Sequence, residues 1–160
     1  MGLIKDGVKK HYSMLVTLDP DKMVGKTSNT IWSGNEILGH LIDSAIINHL
    51  RFLVSSFADN LVFEGYDQNR SVTIQNYQNR NWLELVELWQ SINVHIDGLL
   101  EEIPAHILIK KHNIHNFDVI CFSPLPKNKI ATIQYLIEDY VKHTDHHIAQ
   151  IKASPRKSPI

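Results

Sequence analysis

Three histidines stand within five positions of the stretch YVKHTDHHIAQ, residues 140–150. Imidazole nitrogens are ligands for zinc, nickel and iron, and two histidines four residues apart on a helix lie one turn above the other, where they can hold one divalent ion. The chain contains 10 histidines, so an isolated H-x-x-x-H pair is a weak motif in it. The position of each histidine on its helix must therefore distinguish candidate metal ligands from histidines that bind no metal.

Helical phase divides these three histidines into two groups. At 100° per residue along a predicted helix from about Thr132 to Lys152, His143 and His147 fall on the edge of the apolar arc, whereas His146 turns towards the polar side. We therefore expect His143 and His147 to point inward. The alternative is that both are core histidines that hydrogen-bond the backbone or Asp139, and periodicity alone leaves that alternative open.

A catalytic metal site needs a third protein ligand and one coordination position open to water or substrate. His40 is a candidate in the stretch WSGNEILGHLIDSA, where Ser33 and Glu36 have the spacing of a capping box. The helix predicted there, from about Gly34 to Phe57, is apolar nearly all round, which is typical of a buried helix. His40 shares a polar stripe of this helix with Arg51, and such a stripe is a candidate cavity lining.

The elements that must position these residues predict an all-α fold, a four-helix bundle. Besides the two helices above, residues 3–17 show a loose helical pattern and residues 82–99 a strong apolar stripe. Residues 105–128 alternate apolar and polar side chains, which predicts two short strands or an irregular crossover before the last helix. We expect one domain over residues 1–153 and a loose tail over residues 154–160.

Composition narrows the classes of function. Hydrophobic residues make up 43% and charged residues 21% of the 160 residues, as in soluble globular proteins. The balance of 16 Lys and Arg against 17 Asp and Glu argues against a nucleic-acid partner. The start carries no secretory signal and no apolar run approaches 18 residues, so we expect a cytoplasmic protein without a membrane span. A single cysteine, Cys121, excludes an internal disulfide and a cysteine-based zinc site.

The runs WSGNEILGHLIDSA, FEGYDQ and LIEDYVKHTDHHIAQI resemble the DinB-like superfamily of helical bundles, and within it the branch of YfiT-type metal-dependent hydrolases. The resemblance covers residues 3–153. It implies a four-helix bundle, commonly dimeric, in which three histidines hold a divalent metal ion, with nickel or zinc preferred and iron as a third candidate. Carried onto this sequence, the implied ligands are His40, His143 and His147.

The resemblance also implies a metal-dependent enzyme that acts on a small molecule, either as a hydrolase or as a transferase that uses a low-molecular-weight thiol. A non-enzymatic metal or small-molecule binder and a structural bundle with inert histidines are the alternatives. Asp43 and Asp139 lie within one turn of ligand histidines, where each could orient an imidazole, act as a general base or serve only as a surface carboxylate. Arg51 is a candidate contact for an anionic substrate group. We assign no catalytic base.

The remaining histidines fall in weaker contexts. His95 is predicted to be a packed core histidine, and His49 to face away from His40. We assign the others to the surface or to loops: His11, His106, His112 and His115.

Overall fold

Helices dominate the structure, a computed structural model that describes residue 2, residues 4–26, residue 28 and residues 30–154. The helices, in chain order, are α1 (Lys5–Leu15), α2 (Pro20–Met23), α3 (Gly34–Ser55), α4 (Gln68–Ile74), α5 (Trp82–Glu102), α6 (Ala105–Leu108), α7 (Phe117–Ile120) and α8 (Ile133–Ala153), with a 3₁₀ turn at Tyr77–Asn79 before α5. The four long helices, α1, α3, α5 and α8, form the predicted bundle. Of the predicted tail, only Ser154 lies within the described residues.

The helices that carry the candidate ligands begin where the capping signals predict. The Ser33 hydroxyl accepts the Glu36 N–H at 3.2 Å, and the Glu36 carboxylate accepts the Ser33 N–H at 2.8 Å. This reciprocal pair is the predicted capping box of α3, and it satisfies two backbone donors that the first turn leaves free. The Thr132 hydroxyl likewise accepts the Tyr135 N–H at 3.1 Å and caps α8.

Helix α3 occupies the centre of the bundle. It packs against α5 on one side and α8 on the other, while α1 packs against α5. Every residue of its first half, from 34 to 45, is buried. By length and composition α3 alone, among the described helices, would qualify as a membrane span, but 67% of its most apolar window is buried inside the fold, as in the core helix of a soluble protein. This burial carries His40 into the interior.

The crossover before α8 contains no strand within the described residues, so the prediction of two short strands is wrong and the irregular alternative holds. Two isolated bridges take their place, a parallel one between Leu61 and His115 and an antiparallel one between His112 and Ala131. Each bridge pairs single residues because the short helices α6 and α7 interrupt the chain on either side. Apart from Phe117 and Cys121, the apolar side chains of this stretch are partly or largely exposed, so the alternating pattern does not mark a buried face.

Three histidines differ from their predicted surroundings. His112 and His115 do lie in a loop, but they are buried, with 3% and 6% of their surface exposed. One nitrogen of each ring hydrogen-bonds a backbone carbonyl, which compensates in part for the lost solvent, while His112 Nε2 is buried without a hydrogen-bond partner. His95, predicted to be a core residue, is exposed and lies with its ring centroid 4.8 Å from that of His49.

Helix α4 follows no clear sequence pattern, because its seven residues are mostly polar. Its position depends on α3: the Asp43 carboxylate accepts hydrogen bonds from Ser71 Oγ at 2.7 Å and from Gln75 Nε2. The Tyr77 hydroxyl, in the 3₁₀ turn, donates to the same carboxylate at 2.6 Å. Asp43 therefore holds the segment that follows α3 against the helix that carries His40.

Candidate metal centre

Helices α3 and α8 bring His40, His143 and His147 together, although the first two are 103 residues apart in the chain. Their ring centroids are separated by 4.6 to 5.0 Å, and one nitrogen of each ring lies within 4.8 Å of the other two. The Nε2 atoms of His40 and His143 are 3.0 Å apart. Nitrogens bound at about 2.0–2.1 Å around a tetrahedral zinc ion would be about 3.3 Å apart, so small side-chain adjustments would fit this donor set to a metal ion.

Each of the three rings has a hydrogen-bond partner at Nδ1. The pairs are His40 with the Tyr66 hydroxyl at 3.5 Å, His143 with Ser44 Oγ at 3.3 Å, and His147 with Gln150 Oε1 at 2.7 Å. A partner that accepts the Nδ1 proton fixes the tautomer and the ring orientation and leaves Nε2 as the metal-binding nitrogen. The surroundings of the cluster therefore fit three Nε2 ligands.

His146 contributes to this arrangement without joining the cluster. It is exposed, in agreement with its predicted helical phase. The Gln150 amide nitrogen lies 3.1 Å from His146 Nε2, while the amide oxygen of the same side chain contacts His147. In the tautomers that this series of hydrogen bonds requires, the Gln150 side chain donates to His146 and accepts from His147. His146 thus helps to hold the group that orients His147.

Burial keeps the three imidazoles neutral. Desolvation, followed by the nearby His147, lowers the pKa of His40 to about 4. Desolvation and the other histidines lower the pKa of His143 to about 3. The pKa of His147 is lowered mainly by desolvation, which the hydrogen bond to Gln150 partly opposes. Neutral imidazole is the form that binds a metal ion, so at neutral pH no proton has to leave before binding.

A polar cavity of about 330 Å³ opens beside the cluster. The polar stripe of α3 forms one wall of it, through His40, Ser44, Asn48 and Arg51. Helix α8 and the loop before it form the facing wall, together with Tyr66 from the segment after α3. The stripe that the sequence suggested as a cavity lining therefore does line one.

A second, more open cleft of about 600 Å³ lies on the other side of His147, which lines both spaces. Its other walls include the apolar side chains of Ile31, Trp32 and Ile37. The Trp32 ring lies with its centroid 5.1 Å from that of His40. All three histidines of the cluster line the polar cavity, and His147 alone of them also lines the second, more apolar cleft.

Asp139 is buried beside the polar cavity, but it binds backbone. Its two carboxylate oxygens accept the N–H groups of Phe122 and Ser123 at 2.9 and 2.6 Å. Within the described chain, neither Asp139 nor Asp43 hydrogen-bonds an imidazole of the cluster. The orienting role expected of these two carboxylates falls instead to Ser44, Tyr66 and Gln150. A general-base role for either carboxylate stays a prediction.

Cys121 lines the same cavity and is buried. Desolvation and the neighbouring Asp139 raise the pKa of its thiol to about 12. The thiol is therefore protonated at neutral pH and is a poor nucleophile. This agrees with the expectation that any reactive thiol would come from a second substrate.

Sequence reasoning missed the roles of three side chains. Gln150 carried a usable signal, because it follows His147 by three residues on the same helix and must lie beside it. Trp32 immediately precedes the cap of α3, and Tyr66 lies in a loop. Their contacts with His40 depend on how the loops fold, and no periodicity predicts them.

No protein-family model matches the chain, and no curated protein sequence matches it. Two solved structures share its fold. YfiT from Bacillus subtilis, described as a probable metal-dependent hydrolase with an unusual four-helix bundle topology, has a TM-score of 0.74 over 94% of this chain and 81% of YfiT, at 16% identity. The mycothiol-dependent maleylpyruvate isomerase has a TM-score of 0.68 over 93% of this chain and 57% of the isomerase, at 10% identity.

Both structures have the DinB-like fold. The all-α four-helix bundle of DinB-like type that the sequence predicted is therefore confirmed. At such low identities the likeness establishes the fold alone, and the function has to be argued from the residues of this chain.

Proposed function

We propose that this protein is a metal-dependent enzyme that acts on a small molecule, as a hydrolase or as a transferase that uses a low-molecular-weight thiol. The observation that carries the proposal is the convergence of His40, His143 and His147, each with its Nδ1 occupied and its Nε2 free for a metal ion, at the wall of a cavity. Nickel or zinc suits such a donor set best, and iron is a third candidate.

An open coordination position favours catalysis over a structural role. Structural zinc sites are usually closed by four protein ligands. The cluster contains three candidate ligand residues, and no further Cys, Asp or Glu joins it in the described ranges. When bound, a divalent ion supplies Lewis-acid chemistry and lowers the pKa of a water molecule or thiol at the remaining position.

The residues around the cluster support this chemistry. Ser44, Tyr66 and Gln150 hold the imidazoles in place. Desolvation raises the pKa of Tyr66 to about 12, so its phenol stays neutral and can still donate or accept a hydrogen bond at neutral pH. The Trp32 ring packs against the His40 ring, with centroids 5.1 Å apart, and adds an apolar contact beside the cluster.

Thiol transfer is the candidate favoured by the two spaces that share His147. A transfer reaction brings two organic substrates to one centre, whereas hydrolysis requires one substrate and water. A polar cavity and a more apolar cleft that meet at His147 would admit two such substrates. The isomerase with the same fold is named as dependent on mycothiol, which supports the use of a small thiol, and YfiT is described as a probable metal-dependent hydrolase, which supports hydrolysis.

The test is a paired screen of the metal-loaded protein. Bacillithiol, glutathione and other small thiols are presented with electrophiles in one arm, and simple esters and amides with water in the other. We expect turnover that disappears in His143→Ala and persists in His106→Ala, which replaces an exposed histidine outside the cluster. Stoichiometric metal without metal-dependent turnover in either arm would instead favour a non-enzymatic binder.

The remaining expectations stay proposals: a cytoplasmic homodimer without a nucleic-acid or membrane partner. The exposed apolar side chains of Ile46, Leu50 and Leu53 on α3 support the dimer, because contiguous exposed apolar surface marks interaction sites. Light scattering on the wild type and on Leu50→Lys tests it. We expect the mass of two chains for the wild type and of one for the variant, and a monomeric wild type would contradict the dimer.

A further inference from the structure

Arg51 is a buried cation whose guanidinium is only partly satisfied by hydrogen bonds. Only 7% of its surface is exposed, and it lines the polar cavity. Its Nη2 donates to the Glu64 carbonyl oxygen at 2.9 Å, while its Nε is buried without a hydrogen-bond partner. No carboxylate forms a salt bridge with it within the described residues. A buried guanidinium with one neutral acceptor is costly, and desolvation accordingly lowers its pKa.

The neighbours of Arg51 compensate for its charge only in part. Cys121 and Tyr66 are near enough to act on it, but burial raises the pKa of each to about 12, so both are uncharged at neutral pH. Asp139 is the anion that attracts it, yet its oxygens already accept two backbone N–H groups. The guanidinium therefore retains donors that no group of the cavity wall satisfies.

We infer that Arg51 binds a carboxylate group of the substrate within the polar cavity. A guanidinium can pair with a carboxylate through two parallel N–H donors. The lining residues of the cavity include no lysine and no second arginine, so the site suits a singly charged carboxylate better than a phosphate dianion. The substrate class is thus a small organic acid, whose reacting end would lie at the histidine cluster.

The spacing along α3 sets the length of this acid. Arg51 follows His40 by 11 residues, which is three turns or roughly 16 Å along the helix axis, and the long arginine side chain spans part of that distance. Ser44 and Asn48 lie between them on the same wall. A substrate that reaches both ends needs several atoms between its carboxylate and its reacting group. The placement of the reacting end rests on the proposed function, whereas the binding of the carboxylate does not.

Calorimetric titration with glutarate, its neutral analogue glutaramide and inorganic phosphate tests the inference. Each probe is titrated into the metal-loaded and the chelator-treated protein, as the wild type, Arg51→Gln, Arg51→Lys and Arg80→Gln. Arg80 is an exposed arginine outside the cavity lining and serves as the matched control. We expect glutarate to bind the wild type more tightly than glutaramide, and its affinity to fall about ten- to a hundredfold in Arg51→Gln while Arg80→Gln binds normally.

The outcomes separate this inference from the proposed function. Equal glutarate affinity in the wild type and Arg51→Gln would overturn it, whatever the metal content, and so would the absence of glutarate binding at millimolar concentrations. Tighter binding of phosphate, lost in Arg51→Gln, would overturn the carboxylate assignment. Arg51-dependent glutarate binding by a protein that takes up no metal ion even when one is supplied would support the inference and contradict the proposed enzyme.

The stability of an additional variant distinguishes ligand binding from a structural role. If Arg51 serves a ligand, Arg51→Met should keep or raise the unfolding temperature of the free protein, because it removes a buried, unpaired charge. A clear fall in that temperature, with unchanged glutarate affinity, would assign Arg51 to the fold. If Arg51→Gln does not fold, Arg51→Lys and the comparison of glutarate with glutaramide on the wild type keep the test decisive.

Discussion

Two groups of histidines in this protein use their rings in opposite ways. In the crossover, His112 Nδ1 lies 2.9 Å from the Asp59 carbonyl oxygen, and His115 Nε2 lies 2.9 Å from the Lys129 carbonyl oxygen. His115 also accepts the Phe117 N–H at its Nδ1. These rings satisfy backbone groups and join segments of the chain, so their role is in the fold.

The three histidines of the cluster bind no backbone group. Their Nδ1 atoms contact side chains, and the nitrogens left over converge on one another. Burial alone therefore does not mark a functional histidine, since His112 and His115 are as buried as His40, whereas His143 and His147 are half-buried. The partner of each nitrogen distinguishes them: a carbonyl oxygen indicates a structural ring, and a free nitrogen that faces other free nitrogens indicates a ligand.

The largest expected difference between the two groups is in stabilisation by metal. A ligand that binds only the folded state stabilises it by about 4 kcal/mol at a thousand times its dissociation constant. We expect zinc or nickel to raise the unfolding midpoint of the wild type and of His115→Ala, and to leave that of His147→Ala unchanged. Thermal unfolding of chelator-treated protein, with and without added metal, measures this. An equal rise of the unfolding midpoint in His147→Ala would show that the stabilising metal ion does not bind at the histidine cluster.

The crossover histidines, in contrast, are expected to matter for the stability of the metal-free protein. His115→Ala leaves the Lys129 carbonyl and the Phe117 N–H without their partner, and each unsatisfied buried group costs about 1–3 kcal/mol. We expect the free energy of unfolding of the metal-free protein to fall by about 2–4 kcal/mol. Denaturant unfolding measures it, with the exposed His106→Ala as a control that should change stability by less than about 0.5 kcal/mol. A His115→Ala protein as stable as that control would show that the ring does not hold the crossover.

A smaller effect is expected from the partner of one ligand. Gln150→Ala removes the acceptor that orients His147, and loss of such a partner typically lowers metal affinity about 10–100-fold. Competition with a chromophoric chelator measures the affinity. Gln134→Ala removes an exposed glutamine of the same helix, bonded to Glu138, and should leave the affinity unchanged. Equal affinities in the two variants would mean that Gln150 does not position the ring.

The pH dependence of stability gives a gradual difference that accumulates over several pH units. The pKa of His40 is lowered to about 4 and that of His143 to about 3, so below about pH 6.5 the unfolded chain binds more protons than the folded one. The metal-free protein should therefore lose stability as pH falls from about 6.5 towards 4, by about 1 kcal/mol per pH unit for each imidazole.

Denaturant unfolding at a series of pH values, on chelator-treated protein, measures this slope. Replacing His143 with Phe should flatten it, because an apolar ring cannot take up a proton. A slope that is identical in the wild type and in His143→Phe would show that other groups dominate the acid response.

The sequence predicted most of the fold because its signals are local. Ser33 with Glu36, and Thr132, marked the starts of α3 and α8, and the helical phase of His143 and His147 separated them from His146. His40 was harder to identify as a candidate ligand, because it lies in a polar row on its helix. It was selected because the flanks of that row on α3 are apolar and because of the family resemblance.

The features that the sequence did not predict depend on contacts between distant residues. His112 binds a carbonyl 53 residues away, and Asp43 holds α4 through partners 28 and 32 residues further along the chain. No periodic pattern in the local sequence predicts such pairs of distant residues. The three histidines of the cluster could thus be named from the sequence, whereas the side chains that contact their Nδ1 atoms required the structure.

The most direct test of the central claim is the metal content of the purified protein, measured by elemental analysis on the wild type, His143→Ala and His115→Ala at equal protein concentration. The claim predicts one divalent ion per chain in the wild type and in His115→Ala, and none in His143→Ala. An absence of stoichiometric metal in the wild type, or an unchanged content in His143→Ala, would contradict it.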